Sequence, residues 1–189
     1  MKVSIIGQGY VGLTISVFAA EHHNVVGFDK NQRVVDALNL GKSHIEGVES
    51  VDLAKLVAKG RYKATTEAAD IAGSDVVVIA VPTPLTKDRK PDLAFVEAAC
   101  TTIGENLKSP ALIINESTSF PGTVRNLIKP LIEKHSSGNV LHMYAVSPER
   151  VDPGRSDWNQ KNTPRLYAGL TPEASKAVRD FYLTFCDEL

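Results

Sequence analysis

The sequence predicts an α/β fold of the doubly wound class, a mainly parallel sheet with helices on both faces, and three observations carry that expectation. Apolar runs of strand length alternate with helix-period segments from the first residue to about residue 145, the pattern of repeated βαβ units. The runs are almost continuously apolar, as in Asp75-Val76-Val77-Val78-Ile79-Ala80, which suits strands covered on both faces; an open antiparallel sheet would alternate instead. A Gly7-Gln8-Gly9-Tyr10-Val11-Gly12 turn follows the first run directly and opens a helical segment.

Taken along the chain, strands are expected at 2–6, 24–28, 61–65, 75–80, 111–115 and 140–145, with a short extra strand open at 165–169. Helices are expected at 10–21, 31–40, 51–58, 92–107, 121–134 and 172–185. In the segment 92–107, Leu93, Val96, Cys100, Ile103 and Leu107 recur at spacings of three and four, one buried stripe, and Asp92 is placed to cap the first turn. Thr171-Pro172-Glu173 combines an N-cap residue, a proline at the first helical position and an acid near the positive end of the helix dipole. The segment 147–164, rich in Pro, Asp, Asn and Arg, reads as an ordered polar loop. The closing Phe181-Tyr182-Leu183-Thr184-Phe185-Cys186 reads as an apolar helix with something further to pack against.

Length and composition narrow the function classes. At 189 residues the chain accommodates one large domain with a substantial core. A formal charge of -1 supplies no long-range field toward nucleic acid or an anionic membrane, so neither is expected as a partner. The N-terminus lacks the apolar stretch and cleavage site of a signal peptide, and no run reaches the roughly 20 apolar residues that span a bilayer, so the expected location is the cytoplasm. Cys100 and Cys186 are far apart and the five histidines are scattered, so no metal site or disulfide framework is predicted.

The glycine turn has the context that a Rossmann dinucleotide site requires. Gly7 permits a tight turn, Gly9 lets backbone approach a pyrophosphate, Gly12 allows close packing of the helix, and the helix start offers N–H groups to phosphate. Asp29 closes the second strand at about the distance where an acid meets the adenosine ribose, and its charge repels a 2′-phosphate, which favours NAD over NADP. Lys30 and Arg33 follow it and would offset part of that repulsion; Asp29 as a plain cap of the helix at 31–40 is the other reading. Pro82 and Pro84 stiffen the turn after the fourth strand, where Thr83 would offer its hydroxyl to the nicotinamide ribose; an ordinary proline-rich turn is the alternative.

Further motifs extend the reading. With Tyr10-Val11 inside the glycine turn, Val81-Pro82-Thr83-Pro84, Glu116-Ser117-Thr118-Ser119-Phe120-Pro121-Gly122-Thr123 and Ser147-Pro148-Glu149-Arg150-Val151-Asp152-Pro153-Gly154, the chain resembles the N-terminal NAD-binding domain of the UDP-glucose/GDP-mannose dehydrogenase family over essentially its whole length. The wording after the sixth strand and Gly41-Lys42-Ser43-His44-Ile45-Glu46 are similar to the UDP-N-acetylhexosamine 6-dehydrogenase branch. Where the family commonly carries a basic residue five positions after the ribose acid, this chain has Val34, with Arg33 one place earlier.

The resemblance implies an NAD-dependent oxidation of the C6 alcohol of a UDP-sugar to a uronate for surface polysaccharide, through an aldehyde and a cysteine-bound thioester. It assigns cofactor contacts to Gly7, Gly9, Tyr10, Val11, Gly12, Asp29, Lys30, Arg33, Val81, Pro82, Thr83, Glu116, Ser117, Thr118 and Ser119. It gives Glu149 the base or water-activating role and Ser119 the hydroxyl that holds a catalytic water. The family's catalytic cysteine, lysine and asparagine and its dimer-forming central helix match nothing in residues 1–189, so the chain is expected to bind NAD without completing the oxidation, and to dimerise only if that helix is supplied. A stand-alone dinucleotide-binding module is the second reading. A small dehydrogenase of the hydroxyacid or ketopantoate type is the third, and the Ser-Pro-Glu-Arg and Glu-Ser-Thr segments speak against it.

Overall fold

A computed structural model describes residues 1–138, 140–150 and 159–189. Six parallel strands, β1 (Lys2–Ile6), β2 (Asn24–Phe28), β3 (Tyr62–Thr65), β4 (Val76–Ile79), β5 (Leu112–Asn115) and β6 (Met143–Val146), form one sheet with a two-residue antiparallel β7 (Ala168–Gly169). The order is β3-β2-β1-β4-β5-β6-β7, so the direction of winding reverses between β1 and β4. That reversal opens a crevice at the carboxyl ends of the strands, where ligands of such sheets bind.

The helices are α1 (Tyr10–Ala20), α2 (Gln32–Asn39), α3 (Ser50–Ala58), α4 (Ala94–Asn106), α5 (Lys129–His135) and α6 (Pro172–Tyr182). Alternate strand residues feed two cores. Val3, Ile5, Val76, Val78, Leu112 and Ile114 pack on the face carrying α1, α2, α3 and α6. Ile6, Val77, Ile79, Ile113 and Tyr144 pack on the face carrying α4 and α5. Burial on both faces explains why these strands read as unbroken apolar runs.

The expected cap at Thr171 forms, whereas the capping position of α4 is Leu93, without a side-chain cap, and Asp92 stands one residue before it. Asp92 accepts from the Ala94 amide at 3.0 Å at the start of α4, and the Thr171 side chain accepts from the Ala174 amide at α6. The expected helix at 121–134 is instead a π-helical turn, Val124–Ile128, running into α5. Pro130 has no N–H to give the Asn126 carbonyl and its ring crowds that oxygen, so the coil widens there. The closing segment also differs from expectation: Phe181, Tyr182, Phe185 and Cys186 are buried in this domain's own core, with Phe181 stacked on His23 at 5.8 Å. Of the expected loop at 147–164, residues 147–150 and 159–164 are described and contain no helix or strand, while 151–158, with Val151 to Gly154 of the motif after β6, lie outside the described residues.

Candidate functional site

The glycine turn sits at the head of the crevice. Gly7 has φ +94°, and a Cβ there would lie 2.5 Å from the Ala80 carbonyl oxygen. A Cβ at Gly12 would lie 1.8 Å from the Gly7 oxygen, so the helix seats against the turn itself. Gly9 is different: a Cβ there would meet nothing within 4 Å and would project into open space. No side chain caps α1, whereas Asn31 and Thr171 cap α2 and α6. The start of α1 thus faces a ligand-sized space with its backbone exposed.

Gln8, between the first two glycines, is fully buried and pins the turn. Its amide donates to the Ile5 and Gly7 carbonyls at 3.0 and 3.1 Å, and its oxygen accepts from Ser16 and from the Tyr62 hydroxyl at 3.1 and 2.8 Å. In the sequence Gln8 is marked only by being a long amide inside a glycine turn, the signal for such a peg.

Asp29 closes β2 beside this turn. One carboxylate oxygen accepts from the Gln8 backbone N–H at 2.9 Å and the other from the Asn31 backbone N–H at 2.9 Å. Asn31 caps α2, so Asp29 is more than a helix cap: it braces the glycine turn, and each oxygen keeps a lone pair for a further donor.

A cleft of about 480 Å³ crosses the ends of β2, β1, β4, β5 and β6. Asp29 and Val34 line one end, Gly7, Gly9, Tyr10 and Val11 the middle, and Val81, Pro82 and Thr83 follow. Glu116, Ser117, Thr118 and Glu149 close the far end. An adjoining apolar slot of about 240 Å³ shares Gly7, Asp29, Val81 and Pro82 and adds Phe28, Lys30 and the exposed Phe95.

Two predicted residues are placed elsewhere. Arg33 is exposed and lines neither space; Val34, a residue later on the helix, turns inward instead. Ser119 lines a separate groove with Phe120, Arg125 and Pro148, and receives a hydrogen bond from Asn115 at 3.2 Å. Thr118, one residue earlier, is the member of that pair sharing the cleft with Glu149, because consecutive residues leaving a strand point to opposite faces. Ser117 is a tie: its hydroxyl bridges the Val81 amide and carbonyl at 2.9 and 2.8 Å and fastens the β4 and β5 ends together.

Under the far end lies a buried ionic network that the sequence did not disclose. Arg165, 5% exposed, pairs with Glu116 and lies 3.6 Å from Glu149, donates to Ser147 and Gln160, and stacks 4.3 Å over the Tyr182 ring. The Tyr182 hydroxyl donates to the same Glu116 oxygen. Glu149 accepts from the Gln160 amide and from the Arg150 backbone at 2.6 Å. Burial pushes the Glu116 carboxyl up to about 7, against the opposing pull of Arg165 and the Tyr182 hydroxyl.

That shift has a consequence for stability. The unfolded chain releases the Glu116 proton near 4.5 and the folded chain near 7, so folding loses stability as pH rises between them. Glu116→Gln should flatten this part of the profile, leaving less difference between pH 5 and pH 8 in urea midpoints than in the parent. Parallel profiles would show that Glu116 does not titrate in this range.

Comparison with known proteins fits this geometry. The sequence model described as UDP-glucose/GDP-mannose dehydrogenase family, NAD binding domain, matches residues 1–186. The chain belongs to this family. It is 33% identical over 184 residues to the UDP-N-acetyl-D-glucosamine 6-dehydrogenase of Pseudomonas aeruginosa, covering 96% of this chain and 43% of that protein. It is 34% identical to the UDP-N-acetyl-D-mannosamine dehydrogenase of Pyrococcus horikoshii, covering 98% of this chain and 45% of that protein. The solved UDP-D-ManNAc dehydrogenase structure from Pyrococcus horikoshii superposes with a TM-score of 0.91 at 33% identity, over 100% of this chain and 46% of the other. The chain therefore spans about half the length of the relatives it matches. Among its described residues no helix is long and apolar enough to cross a membrane.

Proposed function

We propose that residues 1–189 bind NAD for the oxidation of a nucleotide sugar, and that the parent activity is conversion of the C6 alcohol of a UDP-N-acetylhexosamine to a uronate. The observation that carries the binding step is Asp29 braced against the glycine turn, with open space in front of Gly9. In this reading the adenosine ribose hydroxyls donate to Asp29 and the pyrophosphate rests on the amides at the start of α1. The apolar slot beside Phe28 and Phe95 suits an adenine ring. The nicotinamide end then falls among Thr83, Ser117, Thr118 and Glu149, with Tyr10 and Val11 beneath the diphosphate. Lys30 borders the adenine side, and Arg33 drops out of the contact set.

NAD supplies the hydride acceptor when bound. The chain's own contribution is a carboxylate, Glu149, held toward the cleft by Gln160 and the Arg150 amide, where it would take a proton from a sugar hydroxyl or water. Thr118 replaces Ser119 as the hydroxyl placed to hold that water. The substrate class is supported by the names of the relatives, which act on UDP-linked N-acetyl-glucosamine and N-acetyl-mannosamine. The dimer, the cytoplasmic location and the remaining catalytic groups are expected of the whole family protein.

Calorimetric titration tests the binding step. NAD should bind more tightly than NADP, and Asp29→Ala should weaken NAD by about ten- to a hundredfold, the worth of hydrogen bonds to a charged acceptor. The same variant should narrow the gap between NAD and NADP, because the charge opposing a 2′-phosphate is gone. NAD affinity unaffected by Asp29→Ala would remove the ribose assignment.

A further inference from the structure

The far end of the cleft has a charge pattern that dinucleotide binding alone does not demand. Among the described residues lining the whole cleft are three acids, Asp29, Glu116 and Glu149, and no lysine or arginine. Asp29 is committed to the ribose end by its bonds to the Gln8 and Asn31 amides. The other two acids lie together where β5 and β6 end, Glu149 on the wall and the Glu116 side chain directly beneath the floor. They share the guanidinium of Arg165, which faces away from the cleft into the network with Gln160 and Tyr182. The second oxygen of Glu116 is buried and has no hydrogen-bond partner, so its charge is incompletely neutralised within the protein. In so poorly solvated a place a nearby positive group is strongly favoured.

We propose that this acidic end makes the cleft selective for the redox state of the nicotinamide ring, holding the cationic oxidised cofactor more tightly than the neutral reduced one. The inference rests on the dinucleotide reading above, which brings the nicotinamide to Glu116 and Glu149. The two forms of the cofactor have the same adenosine and pyrophosphate, so those contacts cancel in the comparison. The ring charge remains. Glu116 acts through the floor of the cleft, without touching the ring, and Glu149 acts from the wall. Exchange of reduced for oxidised cofactor is thereby favoured after each turnover. By linkage, a tenfold preference for the oxidised form lowers the potential of the bound couple by about 30 mV.

The preference depends on Glu116 being ionised, and the groups around it set that state. Arg165, from the segment before β7, and the Tyr182 hydroxyl of α6 favour the anion; Glu149 and burial oppose it; Ser147, at the end of β6, donates to it; Cys186 also lies in this network. Measurement belongs at about pH 8.5, above the titration of Glu116.

The experiment compares dissociation constants of the purified chain for NAD+, NADH and ADP-ribose by calorimetry, in the parent and in Glu116→Gln. The parent should bind NAD+ about tenfold more tightly than NADH. In Glu116→Gln that ratio should fall to about twofold through weaker NAD+ binding, with ADP-ribose unchanged. Gln keeps an acceptor for Arg165 and Tyr182, and if ADP-ribose affinity shows that the variant is damaged, Glu149→Gln decides, since it should shift the ratio in the same direction. Equal affinities for NAD+ and NADH in the parent, or a ratio untouched in the intact variant, would overturn the proposal while leaving dinucleotide binding in place. Failure of all three ligands to bind the parent would overturn the dinucleotide reading itself.

Discussion

Replacing Arg165 with leucine should cost the domain about 3–5 kcal/mol of folding stability, the penalty for leaving one member of a buried ion pair without its partner. Arg165 and Glu116 are 5% and 2% exposed, and no solvent reaches in to replace the lost guanidinium. The same side chain joins the β5 end, the β6 end, Gln160 and the Tyr182 ring of α6, so its removal loosens four segments together. A chain of this length should show a melting point lower by roughly 10 °C. The loss should be smaller at pH 5 than at pH 8, because at the lower pH Glu116 is already protonated in the parent, so the variant leaves no unpaired carboxylate buried there. Adding Glu116→Gln to the leucine variant should recover part of the loss at pH 8. Urea unfolding at both pH values reads all of this; a variant within about 1 kcal/mol of the parent would mean the network is not a structural hub.

The second large effect separates two glycines of one motif. Gly12→Ala should destabilise by about 3 kcal/mol or more, since its Cβ would lie 1.8 Å from the Gly7 carbonyl oxygen and α1 would have to leave the turn. Gly9→Ala should melt close to the parent, because its Cβ meets nothing within 4 Å and its backbone, at φ -74°, is open to any residue. Its damage should appear in binding. The added methyl stands in the space where the pyrophosphate would approach, and NAD affinity should fall by more than about tenfold. Thermal melts and NAD titrations of the two variants should therefore fail in opposite ways. A Gly9→Ala chain that binds NAD as the parent does would place the phosphates elsewhere.

Much of the fold was legible because its signals are local. Val76 to Ile79 could be read as a strand buried on both faces from four consecutive apolar residues, and the cap at Thr171 from its own neighbours. Boundaries were less exact where a later residue intervened, as at Pro130, which turns the expected helix start into a π turn. The ribose acid was legible for the same reason as the turn: Asp29 ends a strand paired in register with the strand before the glycines. Ser119 and Thr118 show where local reading stops. Both carry hydroxyls in one motif, and only the direction in which the chain leaves β5 decides which of them meets Glu149.

The amino-acid order alone determined the βαβ alternation, the phosphate turn and its acid, since each depends on residues a few positions apart and on backbone preferences that operate at that range. Tertiary structure alone decided the partners of Glu116: an arginine 49 positions away and a tyrosine 66 positions away, neither distinguished by its neighbours. The reason is geometric. Those side chains converge only after the sheet has ordered its strand ends and α6 has folded back across them, and the desolvation that gives the acid its character exists only once that cover is closed.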